Sequence, residues 1–320
     1  SIIDLSAAAS QPMWYKHYCI VFNGEMYNYE SVKKELEQLG HAFITHSDTE
    51  VILHAWEQWG TDMIERFIGM FTFVIYDTLK QELTCFRDRA GVKPFYFYWH
   101  NGLFMFASEL KSFHRHPAFK KEINRQALHQ FLQYGYIQAP LSIFTDTHKL
   151  IPGHYLSFSI TGKAYTIHKY WDVYDYYNKP KLNLSASEAK SHTEELLISA
   201  CRYRMVADVP VGVFLSGGYD STAVAALLQA HQSEKIKTYT IGFFEEDHNE
   251  AGFAKKVASH LQTDHTEHYC TTKEAQEIIP DIPYYCDEPF GDSSIIPTTL
   301  VSKLARKDVT VALSADAGDE

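Results

Sequence analysis

No two of the five cysteines form a C-x-x-C pair. Their odd, scattered set (Cys19, Cys85, Cys201, Cys270, Cys286) excludes a disulfide framework and a structural zinc site, and predicts a reducing compartment. No apolar run approaches the roughly 18 residues that suggest a membrane helix. No signal peptide is recognisable, so the expectation is a cytoplasmic protein without a membrane partner. Positive charge is scarce: 29 Lys and Arg against 40 Asp and Glu leave a formal net charge of −11, which gives no support to a nucleic-acid partner. What is present in quantity is aromatic, with 20 Phe and 21 Tyr. They are spread through strands and loops, and read as core and pocket filling. At 320 residues the chain can hold two domains with separate cores.

Two textures divide the chain, and the expected boundaries are 1–170, a linker at 171–186, and 187–320. The first part alternates short strands and turns. Tyr18 to Phe22 is predicted to end at Asn23-Gly24, Gly69 to Tyr76 at Asp77, and Leu83 to Phe86 at Arg87-Asp88. Phe95 to Trp99 should meet Leu103 to Phe106 across Asn101-Gly102. Two helices interrupt this, Tyr29 to Leu39 stopping at Gly40, and Thr49 to Trp59 capped by Asp48 and stopping at Gly60. This pattern predicts a layered α+β domain. Periodicity lapses around Asp172 to Pro180. Beyond it strands and helices alternate: Val211 to Leu215, Ile236 to Ile241, His265 to Tyr269 and Val309 to Leu313 are strands. Between them, helices such as Thr222 to His231 and Glu250 to Leu261 predict an α/β doubly wound parallel sheet, with ligands at the C-terminal strand ends.

The run Val211-Gly212-Val213-Phe214-Leu215-Ser216-Gly217-Gly218-Tyr219-Asp220-Ser221-Thr222 sits at such an end. An apolar strand breaks at two glycines and a helix starts at once, presenting backbone N–H groups that suit an anion, with three hydroxyls as further donors. No lysine follows the glycines and there is no G-x-G-x-x-G, so neither the Walker loop nor the dinucleotide fingerprint applies. An ordinary glycine-rich turn is the plain alternative. Ser-Gly-Gly-x-Asp-Ser resembles the pyrophosphate loop (PP-loop) of ATP pyrophosphatases. That implies ATP, with the loop and Ser221 on the pyrophosphate and Asp220 on Mg2+.

Further segments narrow the resemblance. Asn23-Gly24-Glu25-Met26-Tyr27-Asn28, Ser47-Asp48-Thr49-Glu50, Arg87-Asp88-Arg89-Ala90-Gly91-Val92-Lys93-Pro94, Ser108-Glu109-Leu110-Lys111, Asp287-Glu288-Pro289-Phe290 and Leu313 to Glu320 together resemble class II glutamine amidotransferases of the glutamine-hydrolysing asparagine synthetase family. The resemblance implies an Ntn-hydrolase-like αββα sandwich, followed by a sheet like that of the adenine nucleotide alpha hydrolases. It implies conversion of ATP, aspartate and glutamine to asparagine, glutamate, AMP and pyrophosphate through β-aspartyl-AMP, with ammonia passed internally, and a homodimer. The Asn23 side chain and Gly24 N–H would donate to the oxyanion. Glu25 and Asp48 would read glutamine, Asp48 its ammonium, with Ile2 and Ile3 as backbone contacts. Leu215 and Ile241 would line the adenine and ribose pocket beside Ser216, Gly217, Gly218 and Ser221. Ser314 and Ala315 would close over the nucleotide, Asp220 and Asp319 would hold Mg2+, and Asp316 would serve acyl-adenylate formation. From the residues alone, Asn23-Gly24 also fits a hairpin turn, Asp48 a helix cap, and the Asp316 to Glu320 loop a solvated acidic surface.

Several positions depart from the family pattern. The family nucleophile is an N-terminal cysteine, whereas Ser1-Ile2-Ile3-Asp4-Leu5 and Gln11-Pro12-Met13 match a family segment downstream of it. The expectation is therefore a fragment lacking the nucleophile and the arginine for the glutamine carboxylate. Cys19, within a strand, reads as a buried structural thiol. Tyr219 fills the variable loop position, and Ala315 and Ala317 replace glycines. An acceptor other than aspartate, such as a sugar acid, and a non-catalytic remnant are the competing expectations.

Overall fold

The structure, a computed structural model, describes residues 2–244 and 249–316. The chain forms two compact units: Ser1–Pro180 together with Cys286–Gly291, and Lys181–Tyr285 together with Asp292–Glu320.

The first unit contains strands β1 (Met13–Tyr15), β2 (Tyr18–Met26), β3 (Gly69–Asp77), β4 (Glu82–Arg87), β5 (Tyr96–His100), β6 (Leu103–Ala107), β7 (Thr147–Lys149), β8 (His154–Ser159) and β9 (Ala164–Lys169). A six-stranded sheet runs β1-β2-β3-β4-β8-β9 and a three-stranded sheet β6-β5-β7, antiparallel at each pairing. Helices α1 (Tyr29–Gln38), α2 (Asp48–Trp59), α3 (Arg125–Tyr134) and the short α4 (Val173–Tyr177) complete it.

Side-chain alternation along the strands builds four layers. On β3, Phe71, Phe73 and Ile75 join a core with Val32 and Leu36 of α1 and Val51, Ile52 and Leu53 of α2. Val74, on the opposite face, packs with Phe95, Phe97 and Leu150 between the sheets. Tyr98, one residue from Phe97, faces a third core with Leu110, Phe113 and Ala127 of α3. The sequence of layers is helix, sheet, sheet, helix, so the αββα expectation is met. β2 does not stop at Asn23-Gly24. It continues to Met26, with Asn23 opposite Thr72 and Gly24 opposite Phe71, so the hairpin alternative is excluded.

In the second unit, α5 (Ala186–Arg204) precedes β10 (Val211–Phe214), α6 (Tyr219–Ala230), β11 (Lys237–Phe243), α7 (Ala251–Leu261) and β12 (Asp264–Cys270). Then come α8 (Thr272–Ile278), α9 (Ile282–Tyr285), α10 (Ile295–Ala305) and β13 (Val311–Leu313). The sheet order is β12-β11-β10-β13, parallel throughout. α5, α6 and α7 pack on one face through Cys201, Leu228 and Ala254. α10 covers the other through Val301 and Ala305 against Tyr239. This is the doubly wound α/β arrangement. The chain proceeds from β10 to one side and returns to the other at β13, which makes the C-terminal end of β10 a topological switch point.

Candidate active sites

In the first unit a cavity of about 580 Å³ is lined by Ile2, Ile3, Asn23, Gly24 and Asp48, with Asp4, Gln11, Thr49 and Lys93 among the other walls. Gly24 has φ +148°, and a Cβ there would lie 2.2 Å from Met70 O and 2.6 Å from Phe71 Cα. Glycine is thus required by the close approach of β3. The Asn23 amide donates to Ser108 Oγ at 3.0 Å, which fixes its plane. Gln11 Oε1 accepts from Phe22 N–H at 2.6 Å, one residue before Asn23.

Asp48 is not the helix cap. Ser47 fills that position, its hydroxyl accepting from Thr49 N–H at 3.1 Å. Asp48 begins α2 with its carboxylate 4% exposed and accepts from Met26 N–H at 3.0 Å. Burial raises its pKa to about 6, against the lowering effect of its backbone hydrogen bonds. Glu50, in the same first turn, accepts from Ile44 and Thr45 N–H and so braces the loop leading into α2. Glu25 is buried with Oε1 unpartnered and does not line the cavity. Its pKa is raised by burial and by Asp48, with Lys93 opposing.

In the second unit a cavity of about 550 Å³ lies at the switch point, lined by Leu215, Ser216, Gly218, Asp220, Ser221 and Ile241, with Ser314, Ala315 and Asp316 on another wall. α6 starts immediately after the glycines, with Gly218 as N-cap, so Asp220 and Ser221 belong to its first turn. Not every loop N–H is unpaired. The Ser221 hydroxyl accepts from Ser216 N–H and the Ser216 hydroxyl from Gly218 N–H, each at 3.3 Å. The two hydroxyls are 2.9 Å apart. Gly217 does not line the cavity; it has φ +89° and lies against the start of α7. Asp319, Ala317 and Ser1 lie outside the described residues.

Residues Cys286–Gly291 belong to the first unit. Glu288 accepts from Ile143 N–H at 2.8 Å and pairs with Lys149 Nζ. Asp287 is 3.5 Å from Lys111 Nζ, and Gly291 N–H donates to Gly135 O at 2.7 Å. The hydroxyl of Tyr96 titrates above its usual range, chiefly through burial and then through the charge of Glu288.

Comparison with known proteins gives a family for each part of the chain. Residues 1–171 match the family profile described as "Glutamine amidotransferase domain" and residues 192–320 the one described as "Asparagine synthase". The chain belongs to the asparagine synthetase family of glutamine amidotransferases. A relative in Methanocaldococcus jannaschii, provisionally named glutamine-hydrolysing asparagine synthetase 2, is 38% identical, covering all of this chain and 64% of the relative. Glutamine-hydrolysing asparagine synthetase 1 of Bacillus subtilis is 32% identical over all of this chain and 50% of its own length. Amidase chry2 of Gibberella zeae is 33% identical over 82% of this chain and 41% of its own. The chain therefore spans 64%, 50% and 41% of the length of these three relatives.

Within this family frame, the structure brings together Ile2, Ile3, Asn23, Gly24 and Asp48 on one cavity. On the other it gathers Leu215, Ser216, Gly218, Asp220, Ser221, Ile241, Ser314, Ala315 and Asp316. Glu25 and Gly217 stand behind the walls. Sequence reasoning missed Lys93 and Gln11 in the first cavity and Tyr239, Glu250 and Thr298 in the second. Lys93 and Gln11 lay inside quoted motifs, but only tertiary folding shows that they reach the same space as Asn23. Cys19 is half-buried, its thiol pKa raised by desolvation. Among the described residues no group of His, Cys, Asp and Glu could hold a metal by itself, and no helix is long and apolar enough to cross a membrane.

Proposed function

We propose that this chain comes from a glutamine-dependent asparagine synthetase, of whose machinery it holds the pyrophosphate loop and the oxyanion-stabilising residues but not the glutaminase nucleophile. The supporting observation is the Ser216–Ser221 loop at the switch point of a parallel sheet, on a cavity of about 550 Å³ whose other wall is Ser314–Asp316. ATP would bind there, with adenine and ribose against Leu215 and Ile241. An entering pyrophosphate group would replace the mutual hydrogen bonds of Ser216 and Ser221 and take the loop N–H groups as donors. Asp220 offers a hard oxygen donor on this wall, which suits Mg2+ with Asp319 as second ligand, and the ion would neutralise pyrophosphate charge. The β-carboxylate of aspartate attacks the α-phosphorus and pyrophosphate leaves, giving β-aspartyl-AMP. Ammonia then attacks the acyl carbon and AMP leaves, giving asparagine. Asp316, on the Ser314–Asp316 wall, would act on the acyl-adenylate. In the first unit the Asn23 amide and Gly24 N–H would stabilise the oxyanion of glutamine hydrolysis, while Asp48 binds the substrate ammonium.

ATP–pyrophosphate exchange tests the acceptor. Aspartate is expected to stimulate it more than other carboxylates. No stimulation by aspartate refutes this substrate. Stimulation by a sugar acid or another carboxylate would favour the alternative acceptor, for which the similarity to a protein named as an amidase is the specific support.

A further inference from the structure

His54 lies in the buried stretch of α2, 1% exposed, and has no part in the roles above. Its ring packs against Tyr15 of β1 and Phe43, with centroids 4.0 Å and 4.4 Å away. Its Nδ1 is 2.9 Å from Nδ1 of His41, whose Nε2 is 2.9 Å from Gln58 Oε1. At the other edge of the ring, His54 Nε2 has no hydrogen-bond partner and stands 3.7 Å from Glu50 Oε1. An amide, two imidazoles and a carboxylate thus form one row, from exposed Gln58 to buried Glu50. Glu50 also accepts from Ile44 N–H and from the N–H and hydroxyl of Thr45, so the row ends on the loop that leads to Asp48.

The hydrogens of this row follow from its two ends. With the Gln58 oxygen toward His41, His41 Nε2 must donate and, in a neutral ring, His41 Nδ1 must accept. His54 Nδ1 then carries the hydrogen, and its Nε2 points a bare lone pair at a carboxylate. Such a buried pair of acceptors is unfavourable. Two changes relieve it. One proton added to His54 Nε2 makes an imidazolium that donates to both Glu50 and His41. Alternatively, the Gln58 amide turns over and donates to His41, which donates to His54; His54 Nε2 then bears its hydrogen with both rings neutral. A second proton is excluded, because hydrogens on both Nδ1 atoms would collide across 2.9 Å.

We propose that His41 and His54 form a one-proton switch that clamps the loop at 44–45 through Glu50. In the neutral state the Gln58 amide is reversed and the row is held by dipoles alone. On acidification the pair takes one proton from solvent and Gln58 turns its oxygen to His41. Glu50 gains a charge-assisted bond that fills its fourth acceptor site. Other charged and titratable groups face the pair: Glu57 of α2, Tyr15 of β1 and the Lys16 that follows it, and Lys33 of α1, whose Nζ is 4.9 Å from the Phe43 ring. Burial pulls the His54 pKa below the ordinary 6.5, with the charge of Glu50 opposing, so the switch turns on the acid side of that value.

NMR of the chain's side chains over pH tests this. The ring signals of His41 and His54 should move with one common midpoint below 6.5 and together account for one proton. The Gln58 side-chain amide and the backbone amides of Ile44 and Thr45 should move at the same midpoint. Glu50→Gln removes the counter-charge and should lower the midpoint by about one pH unit or more. Independent titration of the two rings, or uptake of two protons, overturns the switch. A common midpoint that leaves Gln58, Ile44 and Thr45 unmoved overturns the clamp, and so does an unchanged midpoint in Glu50→Gln. If Glu50→Gln fails to fold, titration of the unsubstituted chain decides alone.

Discussion

The two glycines of the pyrophosphate loop look equivalent in sequence and should respond oppositely to alanine. At Gly217, φ is +89° and a new Cβ would lie 2.6 Å from Ala254 N and 2.8 Å from Phe253 Cβ, both on the first turn of α7. The left-handed backbone costs about 1–2 kcal/mol for a residue with a Cβ. Displacing packed backbone costs about 1–3 kcal/mol more, so Gly217→Ala should destabilise the loop and its contact with α7 by about 2–5 kcal/mol. Gly218 has φ −70°, and its nearest neighbour to a new Cβ is Ser216 Oγ at 3.4 Å. Alanine is a poorer N-cap than glycine, but it also lowers the entropy of the unfolded chain, so Gly218→Ala should change stability by about 0.5 kcal/mol or less. Because two units need not unfold together, hydrogen exchange of peptides from α6 and α7 is the suitable assay. At about 1.4 kcal/mol per decade, Gly217→Ala should speed exchange there by about thirtyfold or more. Equal protection in the two variants would refute the reasoning.

Two further predictions concern charge. Asp48 has a folded pKa of about 6 against an ordinary 3.8, so the folded state holds the extra proton between about pH 4 and 6. The contribution of Asp48 to the stability of the first unit should be full below this window and be lost as pH rises through it, by up to about 3 kcal/mol. Asp48→Asn should abolish that slope in thermal unfolding, raise stability at neutral pH, and weaken glutamine binding; an unchanged slope contradicts the assignment. Lys149→Met leaves Glu288 without its cation and should cost about 3 kcal/mol in urea unfolding of the first unit, whereas Lys149→Met with Glu288→Leu should recover part of that loss. A double variant worse than the single one would show that the pair is not what holds the segment.

Much of the fold was legible because its periods are local. Alternation in Gly69 to Tyr76 and the helix signals around Ser47 to Gly60 need no distant information. Errors arose where a residue answers to something far along the chain. Asn23-Gly24 carries a turn signature, but Gly24 is small because Met70 and Phe71 pass behind it, and β2 runs on. Asp48 has cap chemistry, yet Ser47 takes the cap and Asp48 turns inward toward Met26. Helix α3 was readable from Asn124, which caps it through Gln126 and Ala127 N–H, and from Gly135 at its end, and it was overlooked among the surrounding turns. Lys93 has no role that its motif alone reveals, because only the folded chain shows which cavity the Arg87–Pro94 loop faces.

The small excursion Cys286–Gly291 has a consequence for synthesis of the chain. Lys149 and Lys111 are made more than a hundred residues before the carboxylates they pair with, and Gly135 waits equally long for Gly291. During translation, the β5–β7 region and the end of α3 emerge with these partners still unmade. The first unit is therefore finished only after the second unit's segment Lys181–Tyr285 has been made, with α10 and β13 still to follow. A cut at Pro180 would not release it intact, because the six residues that complete it lie beyond the cut.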